Sequence, residues 1–235
     1  MIAGLQKMTL LDYPGKVACT VFLQGCNFRC PFCHNSDLLP GAGQEFMTEE
    51  ALLQFLKKRQ GLLDAVCISG GEPTLYGGLE ALLRQIKALG YMVKLDTNGS
   101  RPETLRALVG EGLVDYVAMD VKNAPGLYGR TTGVEKMSLT AIEESLRFLL
   151  SNVVDYELRT TVVEEFHDLQ AIQQMGQWLC GLVPGAKPKR LYLQAFVDRE
   201  SVLLAGLHTP ASEKLDVFRK ILLEGGCSAE IRGQM

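Results

Sequence analysis

Ala65-Val66-Cys67-Ile68-Ser69-Gly70-Gly71-Glu72 passes from a short apolar run into a polar loop, and Leu79, Leu82, Leu83 and Ile86 then open a second pattern that stops at Gly90. The first run, Ala65 to Ser69, has the length and composition of a buried strand. The i, i+3, i+4, i+7 spacing of the second is that of a helix with one apolar face, and glycine is the usual residue just past a helix end. One strand, one polar loop and one helix therefore make a unit. The same unit recurs along the chain, with further strand candidates at Val17 to Leu23, Tyr91 to Asp96, Tyr116 to Val121, Tyr156 to Val163, and Leu191 to Val197. Thr48 can cap the helix after the first strand, Pro102 opens a shorter one, and Ser138, Asp168 and Thr209-Pro210 mark three more starts.

Six strands joined by single crossover helices imply a parallel sheet, either doubly wound or curved into a barrel. Where the polar residues fall decides between them. A doubly wound sheet concentrates its site at one switch point, whereas a barrel collects site residues from the C-terminal ends of many strands. Here the first strand leads into Cys26, the second into Gly70-Gly71-Glu72 and the third into Asp96-Thr97-Asn98. The fourth leads into Asp120 and Lys122, while the fifth carries Arg159 and the sixth Gln194. The reading is an α/β fold, a partial (β/α)6 TIM-like barrel open on one side. It forms a single domain over residues 1–235, with a core from about 16 to 226 and a tail, 227–235, in which Cys227 to Gly233 can add a short strand. The loop Asn123 to Gly133 is expected to border the opening.

The composition is that of an ordinary globular protein: 235 residues, 47% hydrophobic and 22% charged, with a formal charge of −3. That balance offers no broad positive surface to phosphates, so nucleic acid is not expected as a partner. No apolar run approaches the ~20 residues of a membrane span, and there is no secretory leader, so a cytoplasmic protein without membrane attachment is expected.

Three of the seven cysteines crowd into Cys26-Asn27-Phe28-Arg29-Cys30-Pro31-Phe32-Cys33. In a reducing compartment such clustering points to a metal rather than to disulfides. A [4Fe-4S] cluster held by three thiolates keeps one iron open for chemistry. A structural zinc would need a fourth ligand, for which His34, next to Cys33, is badly placed, and reactive thiols are the third reading. Cys19 and Cys67 fall inside apolar strands and read as small buried hydrophobes, while Cys180 and Cys227 carry no ligand spacing. His167 and His208 read as surface residues, Trp178 as packing, and Lys187, Lys189 and Arg190 as a solvated loop.

The Cys26-x3-Cys30-x2-Cys33 spacing with Phe32 before the last cysteine, together with Gly70-Gly71-Glu72-Pro73, resembles the radical S-adenosylmethionine (SAM) superfamily. Gln24-Gly25-Cys26-Asn27, Cys33-His34-Asn35, Leu95-Asp96-Thr97-Asn98-Gly99 and Met119-Asp120-Val121-Lys122 are similar to the glycyl-radical-enzyme activating proteins, pyruvate formate-lyase activating enzyme among them. Leu11-Asp12-Tyr13-Pro14-Gly15-Lys16 and Leu191-Tyr192-Leu193-Gln194-Ala195-Phe196 look closer to the activating proteins of anaerobic ribonucleoside-triphosphate reductase. Only Pro40 to Phe46 separates the cysteine motif from the next helix, so no ferredoxin-like insert and one cluster are expected.

The resemblance implies a radical SAM oxidoreductase that uses one [4Fe-4S] cluster, on Cys26, Cys30 and Cys33, and SAM to activate a glycyl radical enzyme. Gly70, Gly71 and Glu72 would receive the methionine amine, and Lys122 and Arg159 its carboxylate. Asp96, Thr97, Asn98 and Asp120 would line the same site, with a monovalent cation shared by Asp96 and Asp120. Phe32 and His34 would meet the adenine through backbone, and Gln194 the ribose or adenine; Gln194 stands where pyruvate formate-lyase activating enzyme places a histidine. The implied partners are the reductase and a flavodoxin or ferredoxin. Two alternatives are a radical SAM enzyme acting on a small molecule or another protein substrate, and a non-catalytic iron-sulfur or zinc scaffold.

Overall fold

The computed structural model describes residues 1–39 and 46–233. Of the short connector expected at Pro40 to Phe46, all but Phe46 lies outside the described residues, as does the end of the expected tail, 234–235. Among the described residues the strands are β1 (Ile2–Thr9), β2 (Ala18–Leu23), β3 (Ala65–Gly70), β4 (Met92–Thr97), β5 (Tyr116–Asp120), β6 (Asp155–Val162), β7 (Leu191–Ala195) and β8 (Ala229–Arg232). The helices are α1 (Glu49–Lys57), α2 (Leu79–Ala88), α3 (Pro102–Gly110), α4 (Tyr128–Thr132), α5 (Thr140–Leu150), α6 (Leu169–Gly181) and α7 (Ser212–Glu224).

The strands form one sheet in the order β1-β2-β3-β4-β5-β6-β7-β8. Each strand lies beside its neighbours in sequence, with β1 and β8 as the edges. This is the winding of a partial (β/α) barrel; a doubly wound sheet would break the order at a switch point. The pairs β2–β3, β3–β4, β6–β7 and β7–β8 are parallel. The six expected strands are present to within a residue or two, and β8 realises the final strand. β1 is the addition: it pairs antiparallel with β2, and its buried ends flank an exposed middle, Gln6 to Met8, so its sequence shows no sustained alternation.

The chain divides into two compact units, Met1–Asn27 with Asp37–Ala118, and Phe28–Ser36 with Met119–Met235. In the first, Ala18, Cys19, Val21, Leu23 and Ala65 to Ile68 are sealed from solvent, and α2 buries Leu79, Leu82, Leu83 and Ile86. Each of the Val, Leu and Ile side chains among them contributes about 1.5–3 kcal/mol on burial. Burial pushes the thiols of Cys19 and Cys67 up to about 12, which fits inert core cysteines. Thr48 caps α1 by accepting from the Ala51 N–H, and Pro102 begins α3.

In the second unit Asp168 caps α6, accepting from the Ala171 N–H at 2.7 Å. Two expected helix starts move. The α5 helix starts at Thr140 rather than on Ser138, whose Oγ reaches the Thr140 N–H only at 3.4 Å. Helix α7 starts at Ser212, after Pro210, because Ala211 keeps extended backbone. His167 is a larger correction. It is 1% exposed, its Nδ1 accepting from the Val163 N–H at 3.1 Å and its Nε2 facing the Lys122 carbonyl at 3.0 Å. Among the described residues no helix is long and apolar enough to cross a membrane.

Candidate functional site

The end of β3 builds the first cluster. Gly70 has φ +124°, a region closed to most side chains, and a Cβ there would strike the backbone of Leu23. A Cβ on Gly71 would strike the Gly25 carbonyl. The glycines thus let the loop press on the chain just ahead of Cys26, and the bonds from Gly71 N–H to Leu23 O (2.9 Å) and Glu72 N–H to Gly25 O (2.7 Å) hold it there.

Glu72 is 1% exposed. Its Oε1 accepts from the Thr74 N–H (3.1 Å), the Thr74 hydroxyl and the Thr97 hydroxyl (2.8 Å), and its Oε2 from the Asn98 N–H (2.6 Å). Burial raises its pKa against the pull of those four bonds. The carboxylate ties the end of β3 to the end of β4, and an ammonium ligand would share oxygens already in use. Asn98 then reaches back to the cysteine loop, its amide donating to Asn27 Oδ1 at 2.9 Å and lying 4.0 Å from Cys26 Sγ. Asp96 accepts from Ser69 Oγ at 3.0 Å and pairs with the Lys94 ammonium. Lys94 is 2% exposed and absent from the sequence reading, although a lone lysine inside an apolar strand is a visible signal.

The second unit holds the rest. Cys30 is buried and Cys33 half-buried, joined by a turn in which the Cys33 N–H donates to Cys30 O at 3.0 Å. The segment Asn123 to Gly133 folds into a short 3-10 turn and α4, and supports this loop: the Arg29 N–H donates to Thr132 O at 2.8 Å, and a Cβ on Gly133 would strike the Arg29 carbonyl. Phe32 is buried against Phe166, ring centres 5.7 Å apart. His34 stacks on Phe196 at 5.5 Å and its Nε2 lies 2.7 Å from the Val197 carbonyl; burial lowers its pKa. Ser201 Oγ donates to His34 O, and the Leu204 N–H to Pro31 O, so the chain after β7 also braces the loop.

Asp120, at the end of β5, accepts from Lys122 Nζ and from Arg159 Nε, each at 2.9 Å. Burial pushes its carboxyl up, but the two cations outweigh that and hold it well below the usual carboxylate range. Lys122 is displaced the opposite way: burial disfavours its charge, and Asp120 with Cys30 restores it and more. Gln194 is half-buried on β7, in register with Thr161 of β6 and Arg232 of β8. Among the described residues no group of three or more His, Cys, Asp or Glu side chains is gathered closely enough to hold a metal ion, and none of the seven cysteines is in a disulfide.

Comparison with known proteins places these features in context. A family model described as the radical SAM superfamily matches residues 20–168. A protein of Methanocaldococcus jannaschii, named among the glycyl-radical enzyme activating enzymes, is 32% identical over 206 residues, covering 83% of this chain and 84% of the relative. The pyruvate formate-lyase-activating enzyme of Clostridium pasteurianum is 33% identical over 127 residues, 52% of each chain. Among solved structures, a radical SAM methyltransferase from Sphaerobacter thermophilus superposes with a TM-score of 0.73 at 15% identity, covering 96% of this chain and 68% of that one, which is a likeness of fold.

Proposed function

Because the chain belongs to the radical SAM superfamily, we propose that it activates a glycyl radical enzyme, the anaerobic ribonucleoside-triphosphate reductase, with a flavodoxin or ferredoxin as reductant. The observation that carries this reading is the 32% identity across 84% of a relative named as such an activase. The likeness of Leu11 to Lys16 and Leu191 to Phe196 supports the reductase as the particular partner.

The family implies a [4Fe-4S] cluster and SAM. The donor set fits: Cys26, Cys30 and Cys33 are soft thiols within eight residues of chain, none of them in a disulfide, and Cys30 lies in the field of the Lys122 ammonium. Cys26, Cys30 and Cys33 would hold the cluster, which would supply one electron for the reductive cleavage of SAM, the chemistry needed to remove a hydrogen atom from a glycine Cα of the partner.

The chain's own residues supply position and charge. The Lys122 ammonium and the Arg159 guanidinium, both held at Asp120, would put positive charge beside the methionine carboxylate. Gly70, Gly71 and Glu72 would shape the seat of the methionine amine. Thr97 and Asn98 would keep that seat in register with Cys26, through Glu72 and Asn27. The backbone of Phe32 and His34 would meet the adenine, and the Gln194 amide the ribose or adenine. A monovalent cation at Asp96 or Asp120 would meet carboxylates that already carry fixed ammonium and guanidinium charges.

The test is anaerobic reconstitution with iron and sulfide, then reduction with SAM and the reductase, reading 5′-deoxyadenosine by mass spectrometry and a glycyl doublet by EPR. Both signals together support the activase. Deoxyadenosine without the doublet would move the substrate elsewhere, and neither signal from an intact cluster would overturn the enzymatic reading.

A further inference from the structure

Five of the seven cysteines are accounted for, three in the motif and two sealed in β2 and β3. The remaining two, 47 residues apart in the chain, meet: Cys180 Sγ in the last turn of α6 lies 2.6 Å from Cys227 Sγ, two residues before β8. We propose that Cys180 and Cys227 are a redox modification site, a dithiol that closes to an intramolecular disulfide by exchange with a low-molecular-weight disulfide of the glutathione type. This does not rest on the activase reading.

Access orders the two thiols. Cys180 is half-buried, whereas Cys227 is 1% exposed, its Sγ turned toward the Gly176 carbonyl at 3.6 Å. Burial and the neighbouring Cys180 push the Cys227 thiol up, so it resolves rather than attacks first. The Lys187 ammonium lies against Gly226, where a Cβ would collide with it, and puts positive charge beside the pair.

The exchange balances without another oxidant. The Cys180 thiolate attacks one sulfur of oxidised glutathione, the glutathione S–S bond breaks, and one glutathione departs and takes up the Cys180 proton. Cys227 sulfur then attacks the Cys180 sulfur of the mixed disulfide and expels the second glutathione, which takes up the Cys227 proton. Two protein thiols are oxidised and one glutathione disulfide is reduced. The pair precedes β7 and β8, which are parallel, whereas Gln194 and Phe196 lie toward the other ends of those strands. Closing it ties α6 to β8 without using a residue of the proposed site.

The experiment exposes the reconstituted protein, under anaerobic conditions, to mixtures of oxidised and reduced glutathione, then alkylates and maps peptides without reduction. The expected result is a peptide linking Cys180 to Cys227, the loss of two alkylatable thiols and retention of the cluster's visible absorbance. Cys227→Ser should stop with one glutathione on Cys180, and Cys180→Ser should take up none. To separate pairing from any damage to the cluster, the same peptide should form in the Cys26→Ser, Cys30→Ser, Cys33→Ser triple variant. Glutathione persisting on Cys180 of the unaltered protein, or links confined to other cysteines or to a second chain, would overturn the proposal.

Discussion

Glu72 takes four hydrogen bonds, two from nearby Thr74 and two from Thr97 and Asn98 at the end of β4, so its oxygens are engaged before any ligand arrives. Glu72→Gln keeps the shape but turns one acceptor into an NH2 that must face an N–H or O–H donor. Leaving one buried donor unsatisfied costs about 1–3 kcal/mol. We expect SAM affinity, read by calorimetry, to fall at least roughly tenfold, as ~1.4 kcal/mol would give, with the cluster still assembled; an unchanged affinity would remove Glu72 from the site. Cys30→Ala should lose both the visible absorbance on reconstitution and SAM cleavage, and persistence of either would refute the ligand assignment. The cysteine spacing and the Gly-Gly-Glu stretch were legible in the sequence because side chains grouped on one short loop need only local chain. Lys94 was not singled out, because a lysine's ordinary place is in solvent and its burial depends on Asp96 being at hand.

At the scale of elements, the loops of the site are held by backbone passing close to backbone. Gly71→Ala would force the β3 loop off the Gly25 carbonyl. We expect it to lower the unfolding midpoint and weaken SAM binding together, whereas Gly126→Ala, where an added Cβ meets open space, should change neither. The two together separate a close approach from a loss of chain flexibility. The strands and amphipathic helices were readable because their periods are local. The start of α7 was misplaced because Ala211, with no capping side chain, stands where the chain enters the helix, and β1 was missed because an edge strand with an exposed middle need not alternate. The segment Asn123 to Gly133 shows the same limit: its glycines and proline signal turns, but only its contact with Arg29 makes it a support for the cysteine loop.

For the whole molecule, buried His167 links folding to pH. Burial disfavours its charged form and lowers its pKa below the ordinary 6.5, with Lys214 opposing and Asp168 favouring the charge. The unfolded chain therefore binds a proton that the folded chain refuses, and the stability this provides, full above about 6.5, is lost as pH falls through the depressed value. The urea midpoint should hold level between about pH 7 and 8 and decline below 6.5, and His167→Gln should flatten the decline. An equal slope in both proteins would assign the effect to other groups. By itself the sequence determined the strand-helix alternation, the barrel class, and the placement of polar residues at strand ends, since each follows from short-range periodicity and from where an apolar run stops. Only the tertiary structure decided which of those residues hold one another, Glu72 with Asn98, Asp120 with Arg159, Cys180 with Cys227. Such pairings join segments tens of residues apart, and whether two side chains can reach each other is set by sheet register and helix packing, which no local pattern encodes.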